Sequence, residues 1–310
     1  MPPTRRAPAN RRARRSTQDA GSGSARPAPR DRPRRPARTQ RPAGKRRTSD
    51  LLARVVVAIP AAVLAIVFVD LGGTAWAAAM IVIACACLYE LYALLSRWRP
   101  ASLVGFAAAV AVVLAARFGS ERAVLEIAMA AIPVTFLAVL VRGQSRMATV
   151  SVAGTLLGVW WIALAFAHAE LLRRLPHGAG ILIDIMVGTF LGDTFAYIGG
   201  RLFGRRPLAP SISPNKTFEG LVCGMLIAIV SIFIAGLNQP WLTHGDALLL
   251  GVTVAVLGPI GDLFESMVKR DAGAKDAGRL FGAHGGALDR LDAVIFTVVA
   301  GYYVWVALLH

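Results

Sequence analysis

The sequence predicts an all-α fold: a polytopic helical membrane protein of about nine transmembrane helices behind a disordered, basic N-terminal tail. Three observations lead there. The 310 residues are 55% hydrophobic and only 17% charged, whereas a soluble domain carries about 25% charged residues. From Leu51 onward the chain is a series of apolar runs, each near the ~20 residues that cross a bilayer. The basic residues are concentrated at one end.

The formal charge of +16 suggests a nucleic-acid partner until it is located. Residues 1–49 hold 16 of the 34 Lys and Arg against two acids, Asp19 and Asp31. The rest of the chain is close to neutral. The tail is Arg, Pro, Ala, Ser and Gly, with too little apolar surface to offset its ordering entropy, so it is expected to be disordered. Nearly fifty polar residues precede the first apolar run, which excludes a signal peptide. The tail has no aromatic residue to stack on bases, which argues against a specific nucleic-acid partner. It reads as a cytosolic anchor that sets topology and touches anionic lipid headgroups.

The nine expected spans are 51–69, 74–95, 101–117, 123–141, 149–172, 180–199, 218–237, 247–268 and 291–309. The sixth is interrupted by Asp184 and Asp193. Backbone in lipid must satisfy its own hydrogen bonds, so these are helices. With the tail inside, the inside loops carry 13 Lys and Arg and the outside loops carry four, Arg117, Arg122, Arg173 and Arg174. This asymmetry places the N-terminus in the cytosol and His310 outside. Cys85, Cys87 and Cys223 all lie in apolar runs and read as small packing residues.

Three regions follow: the tail at 1–49, plain membrane helices over 50–175, and a catalytic membrane region over 176–310. In the middle region Glu90, Glu126 and Glu170 read as interfacial or inter-helix hydrogen-bonding groups. Past residue 180 acids cluster on the cytosolic side. Charge near a membrane is costly, so its concentration points to function.

Asp262, Glu265, Ser266 and Lys269 fall at i, i+3, i+4 and i+7 of one helix and share a face. They sit within ~12 Å of its cytosolic end at 1.5 Å per residue. Pro259 and Gly261 permit a kink just below. A Gly-rich loop follows, with Arg270, Lys275, Arg279 and Arg290 as cations for phosphate and His284 as a proton shuttle or a loop-ordering group. Asp276 lies in the same loop. Asp289 and Asp292 are i and i+3 on the first turn of the last helix, where phosphate is also favoured. Carboxylates without a Cys or His cluster suit Mg²⁺. A further segment carries Asp193, then Ser213, Lys216, Thr217 and Glu219. Lys216 and Thr217 are expected to begin a phosphate-holding helix, although the G-x-x-x-x-G-K-[ST] spacing of a P-loop is absent.

At these residues the sequence resembles the phosphatidate cytidylyltransferases, the CDP-diacylglycerol synthases. The family signature S-x-[apolar]-K-R-x4-K-D-x-[GSA]-x2-[LIF]-[PG]-x-H-G-G-[apolar]-x-D-R-[apolar]-D runs here from Ser266 to Asp292. Ala287 stands where a larger apolar residue is usual. The segment around Asn215 also resembles the family, with Asn215 where glycine is common. The specific motifs cover roughly residues 184–292.

The resemblance implies that CTP and phosphatidic acid in the cytosolic leaflet give CDP-diacylglycerol and pyrophosphate. It implies Mg²⁺ as cofactor, with a monovalent cation such as K⁺ a second candidate, and is compatible with a homodimer in the membrane. Asp262 and Asp289 match metal-holding aspartates. Ser266, Lys269 and Asp292 match positions needed for activity. A plasma-membrane location accords with the topology. Two other readings stay open. A CTP-dependent kinase of polyprenol-type alcohols would need a general base for its hydroxyl nucleophile. A transporter would spread polar residues across the membrane and show matched halves, and no internal repeat is visible.

Overall fold

The computed structural model describes residues 63–143, 146–278 and 285–309. The tail and most of the first span lie outside the described residues. The helical end of that span, α1, covers 63–71. There follow α2 (Gly73–Leu94), α3 (Ser102–Phe118), α4 (Glu121–Val141), α5 (Ala148–Arg174), α6 (Gly178–Phe203), α7 (Phe218–Gly236), α8 (His244–Asp271) and α9 (Leu288–Leu309). Among the described residues seven helices, α2 and α4 to α9, are long and apolar enough to cross a membrane. The shorter α3 is also apolar. Eight of the nine expected spans therefore coincide with α2 to α9, and the protein is a multi-pass membrane protein. Its outer surface agrees. Leu103 and Val141 expose 76% and 86% of their surface, which water would disfavour and lipid tails accept.

Helix starts follow local chemistry. Ser120, Thr217 and Thr243 cap α4, α7 and α8, each side-chain oxygen accepting from a backbone N–H three residues on. Such caps satisfy donors that the first turn leaves orphaned.

Four details refine the sequence expectations. First, α6 runs unbroken through Asp184 and Asp193. Asp184 is buried, and Gln239 Nε2 donates to its Oδ1 at 3.1 Å, which gives one carboxylate oxygen a partner without breaking the helix. Second, Lys216 and Thr217 do not begin a helix. Strands β1 (Pro207–Ala209) and β2 (Ser213–Thr217) form an antiparallel hairpin between α6 and α7. Lys216 lies on β2, and Thr217 caps the helix that starts at Phe218.

Third, α8 passes Pro259 as one 28-residue helix. Gly261 serves packing: an added Cβ would lie 2.6 Å from the Asp292 carbonyl and 2.9 Å from Phe296. The α8 and α9 backbones therefore cross at Gly261, which fixes their relative height. Fourth, α5 contains a π-helical turn at Gly158–Ala163. Just before it, Tyr92 Oη donates to the Thr155 carbonyl at 2.9 Å. A π turn leaves the regular i−4 pattern, and a buried carbonyl there takes an outside donor.

Helices α6 and α7 meet through small residues. A Cβ on Gly220 would come within 2.6 Å of the Ala196 carbonyl, and one on Gly224 within 2.6 Å of the Gly192 carbonyl. Membrane helices gain little from hydrophobicity between themselves, so close backbone approach supplies the attraction. Leu88, Leu91, Leu172, Ile181, Ile185 and Leu288 are fully buried in one core, joining the early helices to α6 and α9.

Candidate active site

The site forms where α8 ends, α9 begins and β2 folds back. Asp262, Glu265 and Asp292 each offer a carboxylate oxygen, and these atoms lie within 4.8 Å of one another. Asp262 and Glu265 come from successive turns of α8, and the crossing at Gly261 brings Asp292 of α9 beside them. Glu265 is 1% exposed and Asp292 8%. Three carboxylates this close repel one another unless cations stand among them.

Two lysines do so. Lys216 Nζ pairs with Asp262 Oδ2. Lys269 Nζ donates to Glu265 Oε2 and, at 2.8 Å, to Asp289 Oδ1. The stripe expected on α8 thus points at one place, with Ser266 half-buried on the same face. Asp193 shares the electrostatic neighbourhood of Asp262, Lys216 and Asp292.

Asp289, the other aspartate expected to hold metal, meets a lysine and two loop amides. Its oxygens accept from Lys269, from Ala277 N at 3.1 Å and from Gly286 N at 2.9 Å. The carboxylates that converge with Asp262 are Glu265 and Asp292. Asp289 instead ties Lys269 to both described ends of the Gly-rich loop.

The remaining candidates separate by position. Arg270 donates to the carbonyls of Ile212 at 3.1 Å and Ala274 at 3.3 Å, linking the hairpin to the loop. Glu219 Oε2 accepts from the backbone N–H groups of Arg205 and Arg206 at 3.0 and 3.2 Å. It thereby orders the segment beside a cavity of about 440 Å³ that Leu202 and Phe203 also line. Ser213 pairs with Ala209 across the hairpin. Lys275, Asp276 and Arg290 are exposed at the loop edges. Arg279 and His284 lie outside the described residues.

One group carries more than its sequence reading as an inter-helix hydrogen-bonding residue suggests. Glu90 of α2 is 2% exposed, and its Oε2 accepts from Leu288 N at 2.9 Å. A Cβ on Gly278 or Gly286 would run into this carboxylate. Gly278 and Gly286 therefore wrap Glu90, and the first turn of α9, which carries Asp289 and Asp292, is pinned to α2. A carboxylate in an apolar helix was the available signal; its partner, 198 residues away, was not readable. Arg97 adds a second tie, donating to the Asp271 carbonyl at the end of α8.

The donor set fits a hard divalent cation. It is all oxygen, and Glu265 Oε1 is buried with no hydrogen-bond partner among the described residues, a lone pair suited to a metal ion.

The model of the cytidylyltransferase family matches residues 52–308. The chain belongs to the cytidylyltransferase family. The match extends beyond the signature to the early helices, including α2 with Glu90. Among curated relatives, the phosphatidate cytidylyltransferase of Mycobacterium bovis is 38% identical over 158 residues, 49% of this chain and 50% of that protein. That of Mycobacterium leprae is 42% identical over 147 residues, 46% of each chain. That of Staphylococcus haemolyticus is 36% identical over 163 residues, 51% of this chain and 60% of that protein. The chain thus spans about half the length of the mycobacterial relatives it matches, and somewhat more of the staphylococcal one.

Proposed function

We propose that this member of the family is a phosphatidate cytidylyltransferase, transferring CMP from CTP to phosphatidic acid to give CDP-diacylglycerol and pyrophosphate. The observation that carries the reading is the convergence of Asp262, Glu265 and Asp292 with Lys216 and Lys269 at one end of the helices. That is the balance needed by two phosphate-bearing substrates and a divalent ion. The names of the relatives support the same chemistry.

In this reaction a phosphatidate oxygen attacks the α-phosphorus of CTP, and the bond from that phosphorus to the bridging oxygen breaks. The phosphate arrives already ionised, so no protein base is needed for the nucleophile. Catalysis is then positioning and charge neutralisation. Mg²⁺, held by Asp262, Glu265 and Asp292, supplies charge neutralisation to the phosphates when bound. Lys216, beside Asp262, and Lys269, beside Glu265, offer ammonium donors to phosphate oxygens. Asp289 holds Lys269 in place, and Ser266 offers a hydroxyl on the same helix face. Lys275, Arg279 and Arg290 offer cations to the CTP phosphates, with His284 as a proton shuttle or a loop-ordering group. Arg205 and Arg206, beside Leu202 and Phe203, meet the lipid headgroup where apolar chain and phosphate join.

The distribution of Lys and Arg supports a cytosolic location for this end, where CTP is available, within the plasma membrane. The helices of 50–175 scaffold the catalytic region of 176–310, and the tail anchors it to anionic lipid. A test is pyrophosphate release by the purified protein with Mg²⁺ and CTP. Release that needs phosphatidate supports the reading; CDP release on adding a polyprenol instead supports a lipid kinase.

A further inference from the structure

Positive residues are scarce on the face opposite the catalytic end, yet three of the four arginines expected there meet. Arg117 at the end of α3 and Arg173 and Arg174 at the end of α5 line a cavity of about 420 Å³, together with Gly73, Glu170 and Leu175. This is within the range of small-ligand sites. Three guanidiniums face one carboxylate, so the lining carries a formal +2.

The groups are built in rather than splayed in solvent. Arg173 donates to the carbonyls of Val69 at 2.6 Å and Asp70 at 3.3 Å. Arg174 donates to those of Ala116 and, at 3.2 Å, Gly119. These bonds fix the two guanidiniums and leave further N–H groups, since each has five. A Cβ at Gly72 would lie 2.6 Å from Arg173 Nη2, so the glycine leaves room for the cation. Glu170 is 1% exposed, and its Oε2 has no hydrogen-bond partner among the described residues. Arg117 Nε is likewise buried and unpartnered. The two approach only to 3.9 Å, beyond hydrogen-bond reach. The first turn of α2 also opens here, at Gly73, without a side-chain cap or an acidic residue; a bare helix N-terminus favours an anion.

We propose that this cavity is an anion site that takes a phosphate group at the membrane face opposite the catalytic cluster. The planar forks of several arginines suit phosphate oxygens. Gly73 begins α2, while Glu90 reaches the catalytic loop near its other end, about 25 Å away at 1.5 Å per residue. The proposal is independent of the reading of the catalytic site. The phosphate can be carried by an anionic phospholipid of that leaflet or be free in solution.

The test uses the full-length protein in dodecyl maltoside. It is titrated separately with inorganic phosphate and with short-chain phosphatidylglycerol, and binding is read by native mass spectrometry. Ions held by the catalytic cluster bind all variants equally, so differences between variants report the cavity. Arg117→Gln lowers the lining to +1 and is expected to weaken binding by at least about tenfold. Glu170→Gln raises it to +3 and is expected to tighten binding several-fold, a gain that a damaged fold does not give. This pattern with phosphatidylglycerol identifies a lipid site; the pattern with inorganic phosphate alone identifies a free-anion site. Unchanged affinity in both variants for both probes, or weakening in both variants, overturns the proposal.

Discussion

Lys269 and Asp289, on two different helices, are joined by a 2.8 Å hydrogen bond from the ammonium to the carboxylate. The bond fastens the end of α8 to the first turn of α9. Through Asp289 it also reaches the amides of Ala277 and Gly286. One carboxylate thus orders the lysine and both flanks of the Gly-rich loop.

Asp289→Asn removes the charge from this junction and turns half of the acceptor into a donor facing Lys269. Turnover is expected to fall by at least about 100-fold, the scale of losing a positioned charge partner in a site. Membrane insertion is expected to stay normal. Turnover by variant protein of wild-type yield and monodispersity checks both.

The three converging carboxylates predict a metal phenotype. Asp262→Asn, Glu265→Gln and Asp292→Asn should each raise the Mg²⁺ concentration for half-maximal activity by about tenfold or more, the equivalent of about 1.4 kcal/mol. A Mg²⁺ titration of each variant measures this. A substitution acting elsewhere would lower the maximum without moving the midpoint.

Glu90 is predicted to matter although it is remote from the carboxylates in sequence. Glu90→Ala leaves Leu288 N without its acceptor and opens a void under two loop glycines, costing about 2–4 kcal/mol. Glu90→Gln keeps an acceptor for Leu288 N and should retain substantially more activity. Thermal unfolding and turnover of the two variants together separate a lost hydrogen bond from a lost charge.

Gly261 is predicted to tolerate nothing larger. Gly261→Val places side-chain atoms against the Asp292 carbonyl and Phe296. Overpacking costs about 1–3 kcal/mol, and it separates Asp292 from Asp262 and Glu265. Activity should fall more steeply than stability, which parallel unfolding and turnover measurements reveal.

What was legible in the sequence follows periodicity and composition. The membrane helices were visible because lipid demands long apolar runs, and the face shared by Asp262, Glu265 and Lys269 because a helix repeats every 3.6 residues. Contacts set by distant packing were not. Asp289 and Asp292 are one turn apart, yet Asp292 lies beside Asp262 and Glu265 while Asp289 meets Lys269 and loop amides. Nothing local distinguishes them. The bond from Leu288 N to Glu90 depends on how α2 docks, and the hairpin holding Lys216 on strand pairing across a polar loop. The bond from Tyr92 beside the π turn of α5 likewise comes from another helix.

The most direct test of CMP transfer follows the cytidylyl group itself. Purified protein is incubated with Mg²⁺, phosphatidate and CTP labelled at the α-phosphorus, and lipids are extracted. CMP transfer to phosphatidate predicts label in the lipid phase as CDP-diacylglycerol, with pyrophosphate released in equal amount. Absence of lipid label from folded protein, or lipid label only when CTP is labelled at the γ-phosphorus, would contradict it.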